Sequence, residues 1–158
     1  MLFFDFYSNL IGKDIDRDTT INLDNLNLPR YDLEALDFPF SEEVWNTIKD
    51  LPADKAPGPD GFTGRFYKSC WAIIKDDIMA ALHTVWGKNF RNLWMLNSAY
   101  ITLIPKKVDA DQVKDFRPIS LVHSFSKLVT KLLANRLASR LDQMVSPNQS
   151  AFIKKRFI

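Results

Sequence analysis

Asp76 and Asp77 stand side by side, and neighbouring carboxylates are the first thing to weigh in a search for metal chemistry. They fall between Trp71–Ile74 and Ile78–Leu82, apolar residues at helical spacing. Neighbours on a helix point about 100° apart and rarely share one ion, so the pair reads as surface charge. Asp109, Asp111 and Asp115 lie in a polar loop without the glycine or the spacing of a calcium loop. Cys70 is the single cysteine, which excludes an internal disulfide or a cysteine zinc site and reads as a packing residue. His83 and His123 sit alone without metal-ligand spacing. There is no nucleophile elbow, Walker-type phosphate loop or His–carboxylate set. The chemistry left to consider is that of cations.

The net charge of +2 conceals an asymmetry. Residues 1–60 hold 13 acids and 5 bases, a net of −8, and residues 61–158 hold 6 acids and 16 bases, a net of +10. A basic segment of this size is an electrostatic footprint for a polyanion, either nucleic acid or a phosphate-bearing ligand. The plain alternative is a solvated surface balanced by the acidic half. Hydrophobic content of 46% and charged content of 25% over 158 residues describe a globular chain with a core, not a disordered one. No apolar run is long enough to span a bilayer. The apolar start is interrupted by Asp5 with no basic residues before it, a poor signal peptide.

The elements that would position these cations can be read from spacing. Phe3, Phe6, Tyr7 and Leu10 suggest a short helix over residues 1–12. Gly12 to Asp37 reads as a linker. A helix then follows Ser41 as cap, with Phe40 stapled onto Trp45, Val44, Ile48 and Leu51 as its apolar stripe, and Pro52 as its end. The loop KAPGPDG (55–61) is fixed by Pro57 and Pro59, while Gly58 and Gly61 permit tight turning or close approach. A long helical pattern runs to Gly87–Asn89 with a break near Ser69. AYITLI (99–104) and FRPISL (116–121) read as two strands of an antiparallel hairpin, with Pro118 requiring an edge or a bulge. One helix is expected from Ser124 to Gln143, with Lys127, Lys131, Arg136 and Arg140 opposite its apolar face. After Pro147, residues 149–158 read as strand-like or extended.

Four blocks, DKAPGPDGF (54–62), ITLIPKK (101–107), DFRPISL (115–121) and SPNQSAFIKKR (146–156), occur in order, with NRLASRL (135–141) before the last. Together they resemble the start of the reverse transcriptase domain of LINE-type (non-LTR) retrotransposons, plant elements in particular, over residues 41–158. Residues 1–40 resemble, more loosely, an acidic lead-in ahead of that domain. The resemblance implies an α+β chain forming part of a right-hand polymerase fold, fingers with the start of the palm, helix-rich with a short antiparallel hairpin. It implies an RNA template, a DNA primer and a deoxynucleotide triphosphate as partners of the intact protein, no membrane, and action in the nucleus, although no targeting signal is visible.

Within that resemblance, Lys106 and Arg117 correspond to the residues of a fingers hairpin that hold the incoming triphosphate. Arg offers a planar fork matched to phosphate oxygens and Lys a mobile point charge, and a hairpin would bring the two together. The competing reading makes Lys106 and Lys107 strand-end surface lysines and pairs Arg117 with Asp115 or another acid. The loop, through Lys55, Gly58, Asp60 and Arg65, is implied to lie near the template, with a rigid chain-redirecting connector as the alternative. Gln149 and Arg156 belong to a block implied to position template or nucleotide. There FIKKR stands where the family text is usually FIKGR, and Lys155 in place of a glycine suggests a decayed copy.

Polymerase chemistry needs two divalent metals held by carboxylates. In the family those motifs follow the Gln149 block, so no catalytic or metal-binding residue is expected within this sequence. Magnesium is expected of the intact enzyme and no cofactor of the chain itself. The leading expectation is therefore a piece of an RNA-directed DNA polymerase without catalysis of its own. Two alternatives stay open: a stand-alone nucleic-acid-binding module gripping through Lys127, Lys131, Arg136 and Arg140, and a non-functional relic with exposed, adhesive apolar faces.

Overall fold

A computed structural model describes residues 2–12, 16, 19–27, 29–87, 93–146 and 148–149. By its contacts the chain groups into two units, residues 1–30 with 101–119, and residues 31–100 with 120–158. Residues 1–30 join the distal part of the hairpin, and residues 31–40 join the helices.

In the first unit, helix α1 (Leu2–Ile11) forms as its apolar spacing suggests. Strands β1 (Ala99–Pro105) and β2 (Phe116–Val122) pair into a two-stranded antiparallel sheet whose outer part belongs to this unit. The strands are of equal length, and Lys106 N–H donates to the Asp115 carbonyl at 2.8 Å just beyond their ends. That register sets Ile104 opposite Arg117 and Leu103 opposite Pro118. In an antiparallel ladder every second pair turns its N–H groups outward, and Pro118 occupies such a pair, where a missing donor costs nothing. The turn holds a 3₁₀ segment, Val113–Asp115, closed by a reciprocal box in which the Gln112 and Asp115 side chains each accept the other's backbone N–H. The stretch read as a linker contains two further 3₁₀ turns, Leu23–Leu26 here and Glu34–Asp37 in the second unit.

The second unit is helical. Helices α2 (Glu43–Asp50), α3 (Gly64–Ser69), α4 (Trp71–Trp86) and α6 (Ser124–Ala138) share a core of Phe40, Val44, Ile48, Tyr67, Leu82, Leu128 and Leu132. α5 (Leu93–Leu96) and α7 (Leu141–Met144) are single turns. The break between α3 and α4 falls at Cys70, where the sequence expects one, and Asp76 and Asp77 lie exposed on α4.

Three local expectations are corrected. Ser41 is not the cap of α2: Glu42 flanks the helix with no side-chain cap bond, and Ser41 contributes only its carbonyl, to Val44 N–H at 3.1 Å. Phe40 does not staple onto Trp45. It is buried edge-on against Trp86 at 5.2 Å, while Trp45 stacks on Trp71 at 5.3 Å. The helix expected to reach Gln143 stops at Ala138. Ser139 explains the stop. Its hydroxyl donates to the Arg136 carbonyl at 2.7 Å, and its own N–H reaches the same oxygen at 3.2 Å. A continuing helix needs that carbonyl for Arg140, and a serine hydroxyl that competes for it ends the ladder.

Candidate nucleotide and nucleic-acid interface

The outer hairpin carries two of the singled-out cations, Arg117 within β2 and Lys106 one residue past the end of β1. Arg117 lies opposite Ile104 in the ladder, and the Lys106 N–H keeps its bond to Asp115 just beyond the paired strands. Arg117 is exposed and has no side-chain hydrogen bond or ion pair among the described residues. The pairing of Arg117 with Asp115 left open by the sequence does not form. Asp115 pairs instead with Lys107, Nζ to Oδ2 at 3.2 Å. Loss of water around the Asp115 carboxyl works to raise its pKa. The Lys107 ammonium and the backbone N–H groups of Gln112 and Asp111 outweigh that and hold it below the ordinary carboxylate range. Lys106 Nζ donates to the Lys114 carbonyl at 2.6 Å, an exposed bond that a phosphate oxygen can replace.

The KAPGPDG loop, in the other unit, turns most of its polar groups toward its own chain. Gly58 to Gly61 form a turn closed by Gly61 N–H to the Gly58 carbonyl at 3.0 Å, with Pro59 second in the turn. Gly61 has φ +70°, which favours glycine. Gly58 is buried against the β2–α6 junction, where an added Cβ would lie 2.2 Å from the Val122 carbonyl oxygen and 2.7 Å from His123 N. Asp60 Oδ2 accepts from Ser124 N–H at 2.6 Å, so a carboxylate from the loop caps α6. The Ser124 hydroxyl donates in return to the Phe62 carbonyl. The connector reading therefore has a physical basis at Gly58 and Asp60. Burial, with the nearby Asp60 charge second, pushes the Tyr67 phenol up to about 12.

Lys55 is exposed, and Arg65 is exposed in a forked pair with Asp54 at 2.6 to 3.0 Å. The Gln149 N–H donates to the Ser146 carbonyl at 3.0 Å, and its side chain is exposed. Arg156, Phe152 and Lys155 lie outside the described residues.

Two placements escaped sequence reasoning. His123 is not alone: Ser98 Oγ stands 3.0 Å from its Nε2, and Asp60 Oδ2 stands 3.8 Å from its Nδ1. Sixty-three positions separate Asp60 and His123, so no local motif betrays them. The row is not a nucleophilic triad, because 3.8 Å exceeds hydrogen-bond reach. Asp60 is also engaged as a cap, and the Ser98 hydroxyl donates to the Met95 carbonyl at 2.8 Å.

Arg136 is the second. Its guanidinium forks onto Glu43, donates to the carbonyls of Leu36, Phe38 and Pro39, and lies over the rings of Phe40 and Trp86 at 4.4 and 5.3 Å. Lys127 Nζ reaches the Ala56 carbonyl at 3.2 Å. Of the expected basic grip on α6, Arg136 thus faces the protein, while Lys127 holds one exposed carbonyl. Among the described residues no group of three or more His, Cys, Asp or Glu side chains converges to hold a metal ion.

No family model matches the sequence. Individual relatives do. A transposon TX1 protein of Xenopus laevis, of 149 kDa, is 32% identical over 126 residues, 79% of this chain and 10% of the relative. The Pol polyprotein of a type-1 retrotransposable element of Bradysia coprophila is 28% identical over 114 residues, 70% of this chain and 11% of the relative. The RNA-directed DNA polymerase of the mobile element jockey of Drosophila melanogaster is 33% identical over 108 residues, 64% of this chain and 11% of the relative. The chain spans about a tenth of the length of the curated relatives it matches. By this shared sequence the chain belongs to the family of non-LTR, LINE-type retrotransposon reverse transcriptases and Pol proteins.

Proposed function

We propose that this chain is the part of a LINE-type RNA-directed DNA polymerase that receives the incoming deoxynucleotide, with an RNA template and a DNA primer as the partners of the whole protein. In this reading the chain forms fingers, and the start of the palm, of a right-hand polymerase. A helix-rich body with one antiparallel hairpin is compatible with that fold. The observation that carries the reading is the exposed, open guanidinium of Arg117 on β2, with Lys106 just past the end of the facing strand. A triphosphate would meet an open guanidinium fork and an ammonium whose present partner is one exposed carbonyl. Lys55, Arg65, Gln149 and Arg156 are assigned to template contact. Gly58 and Asp60 shape the loop that carries Lys55. Magnesium belongs to the intact enzyme. The residues named here bind and orient phosphate.

The stand-alone grip on α6 is the weaker reading, because Arg136, at its centre, is engaged inward. Titration of the chain with deoxyadenosine triphosphate and magnesium, followed by calorimetry, separates the two. Arg117→Ala should weaken binding about tenfold and Lys106→Ala by less, as expected for loss of a charge-assisted hydrogen bond. Affinity unchanged in both variants would remove the hairpin from the function.

A further inference from the structure

Phe116 and Pro105 are opposed in the register of the hairpin, one pair inward from Lys106 and Asp115. The bond from Lys106 makes its own pair a hydrogen-bonded one, so the next pair turns its N–H and C=O groups away from the partner strand. Phe116 N–H accordingly points back to the Val113 carbonyl. The Phe116 carbonyl faces the open edge of β2, where an unpaired acceptor is normally left to water. Here it is taken. The Tyr7 hydroxyl donates to it at 2.9 Å and lies 3.3 Å from the Val113 carbonyl oxygen. The Phe3 ring stands edge-on to Phe116 at 6.0 Å, and α1 as a whole contacts the Val113–Asp115 turn.

The Phe116 carbonyl and the Arg117 N–H belong to one planar peptide. Whatever fixes the first fixes the direction in which the Arg117 chain leaves the strand. We infer that Tyr7 is a positioning residue: its hydroxyl holds the peptide plane before Arg117, so that α1 sets the aim of the guanidinium toward phosphate. The inference rests on the triphosphate reading above and adds the N-terminal helix to that site, although the resemblance implies only a lead-in there. A planar fork loses more than a point charge when its base rotates, because both of its parallel hydrogen bonds must align. The contribution of Tyr7 should therefore depend on residue 117 being arginine.

The test is a double-mutant cycle on the full chain, with deoxyadenosine triphosphate and magnesium as the probe. Tyr7→Phe keeps the ring and removes the hydroxyl, and thermal melting checks that each variant is folded. In the arginine background Tyr7→Phe should weaken binding about threefold, in line with one hydrogen bond acting at one remove. In an Arg117→Lys background the same change should have almost no effect. An equal loss in both backgrounds would mean general loosening and overturn the inference. No loss in either, while Arg117→Ala still weakens binding, overturns the role of Tyr7 and leaves the triphosphate reading intact. If Arg117→Ala also leaves binding unchanged, both fall.

Discussion

Arg117 on the hairpin and Arg136 on α6 are the same residue type in the same basic half of the sequence, and their surroundings differ in every physical respect. Arg117 is exposed, with an open fork. The Arg136 side chain retains 10% of its exposure, and its donors are taken by Glu43 and three backbone carbonyls. The same contrast separates the two glycine- or lysine-bearing motifs. Lys106 holds one exposed carbonyl, whereas Gly58 and Asp60 are packed and bonded against the β2–α6 junction. A motif that suggests ligand contact can thus serve the fold in one region and present charge in the other. The number of inward partners distinguishes them. On this contrast, substitutions in the helical unit should reduce stability, and substitutions on the hairpin should reduce binding and leave stability alone.

The largest effect is expected at Arg136. Removing one partner of a shielded ion pair leaves the other charge uncompensated, at a cost of about 3 to 5 kcal/mol. Glu43 keeps a third of its side-chain exposure, so Arg136→Ala should fall near the lower end, about 3 kcal/mol by urea unfolding. Arg136→Lys should recover less than half of that, since an ammonium cannot fork onto Glu43 while also reaching Leu36, Phe38 and Pro39. A wild-type unfolding midpoint for Arg136→Ala would erase the distinction between the two arginines.

Gly58 should come next. Its Cβ position lies against backbone atoms, and the Val122 carbonyl cannot swing aside as a side-chain tip could. Gly58→Ala then forces β2 and α6 apart at their junction, an overpacking cost of about 2 to 3 kcal/mol. The comparison sharpens if triphosphate affinity, measured below the unfolding range of this variant, stays at the wild-type value. A variant as stable as wild type would mean that the junction is not closed against the loop.

These contrasts also mark what the sequence could and could not convey. Helix periodicity located α2, the break at Cys70 and α4, because Val44, Ile48, Ile74, Ile78 and Leu82 repeat at the spacing of one buried face. The hairpin was legible from two β-rich runs joined by a polar loop. Choices made at a distance were not legible. Phe40 packs edge-on against Trp86, a ring 46 positions away that no local pattern could name. Arg136 reads as a surface base on a helical wheel, and only the return of residues 36–39 beside it supplies the carbonyls that hold it. The C-terminal break at Ser139 came from a hydroxyl competing for a carbonyl, which apolar spacing does not encode. At the site, the family resemblance named Arg117 and Lys106 as the hairpin cations. It could not show that Asp115 belongs to Lys107 or that Tyr7 reaches the hairpin from more than a hundred positions away.

The smallest effect on stability is expected at Arg117, and it bears most directly on the comparison. Its side chain makes no polar contact among the described residues, and its apolar stem lies on a face with Ile104 at 48% and Ile119 at 39% exposure. Little is buried there for a truncation to uncover. Arg117→Ala should change unfolding free energy by less than about 0.5 kcal/mol, the range of surface substitutions away from special features. The same variant should show the tenfold loss of triphosphate affinity argued above, so the two measurements are expected to part company in one protein. A loss of 2 kcal/mol or more in stability would place Arg117 in the class of Arg136, with a fold-holding partner on its side chain.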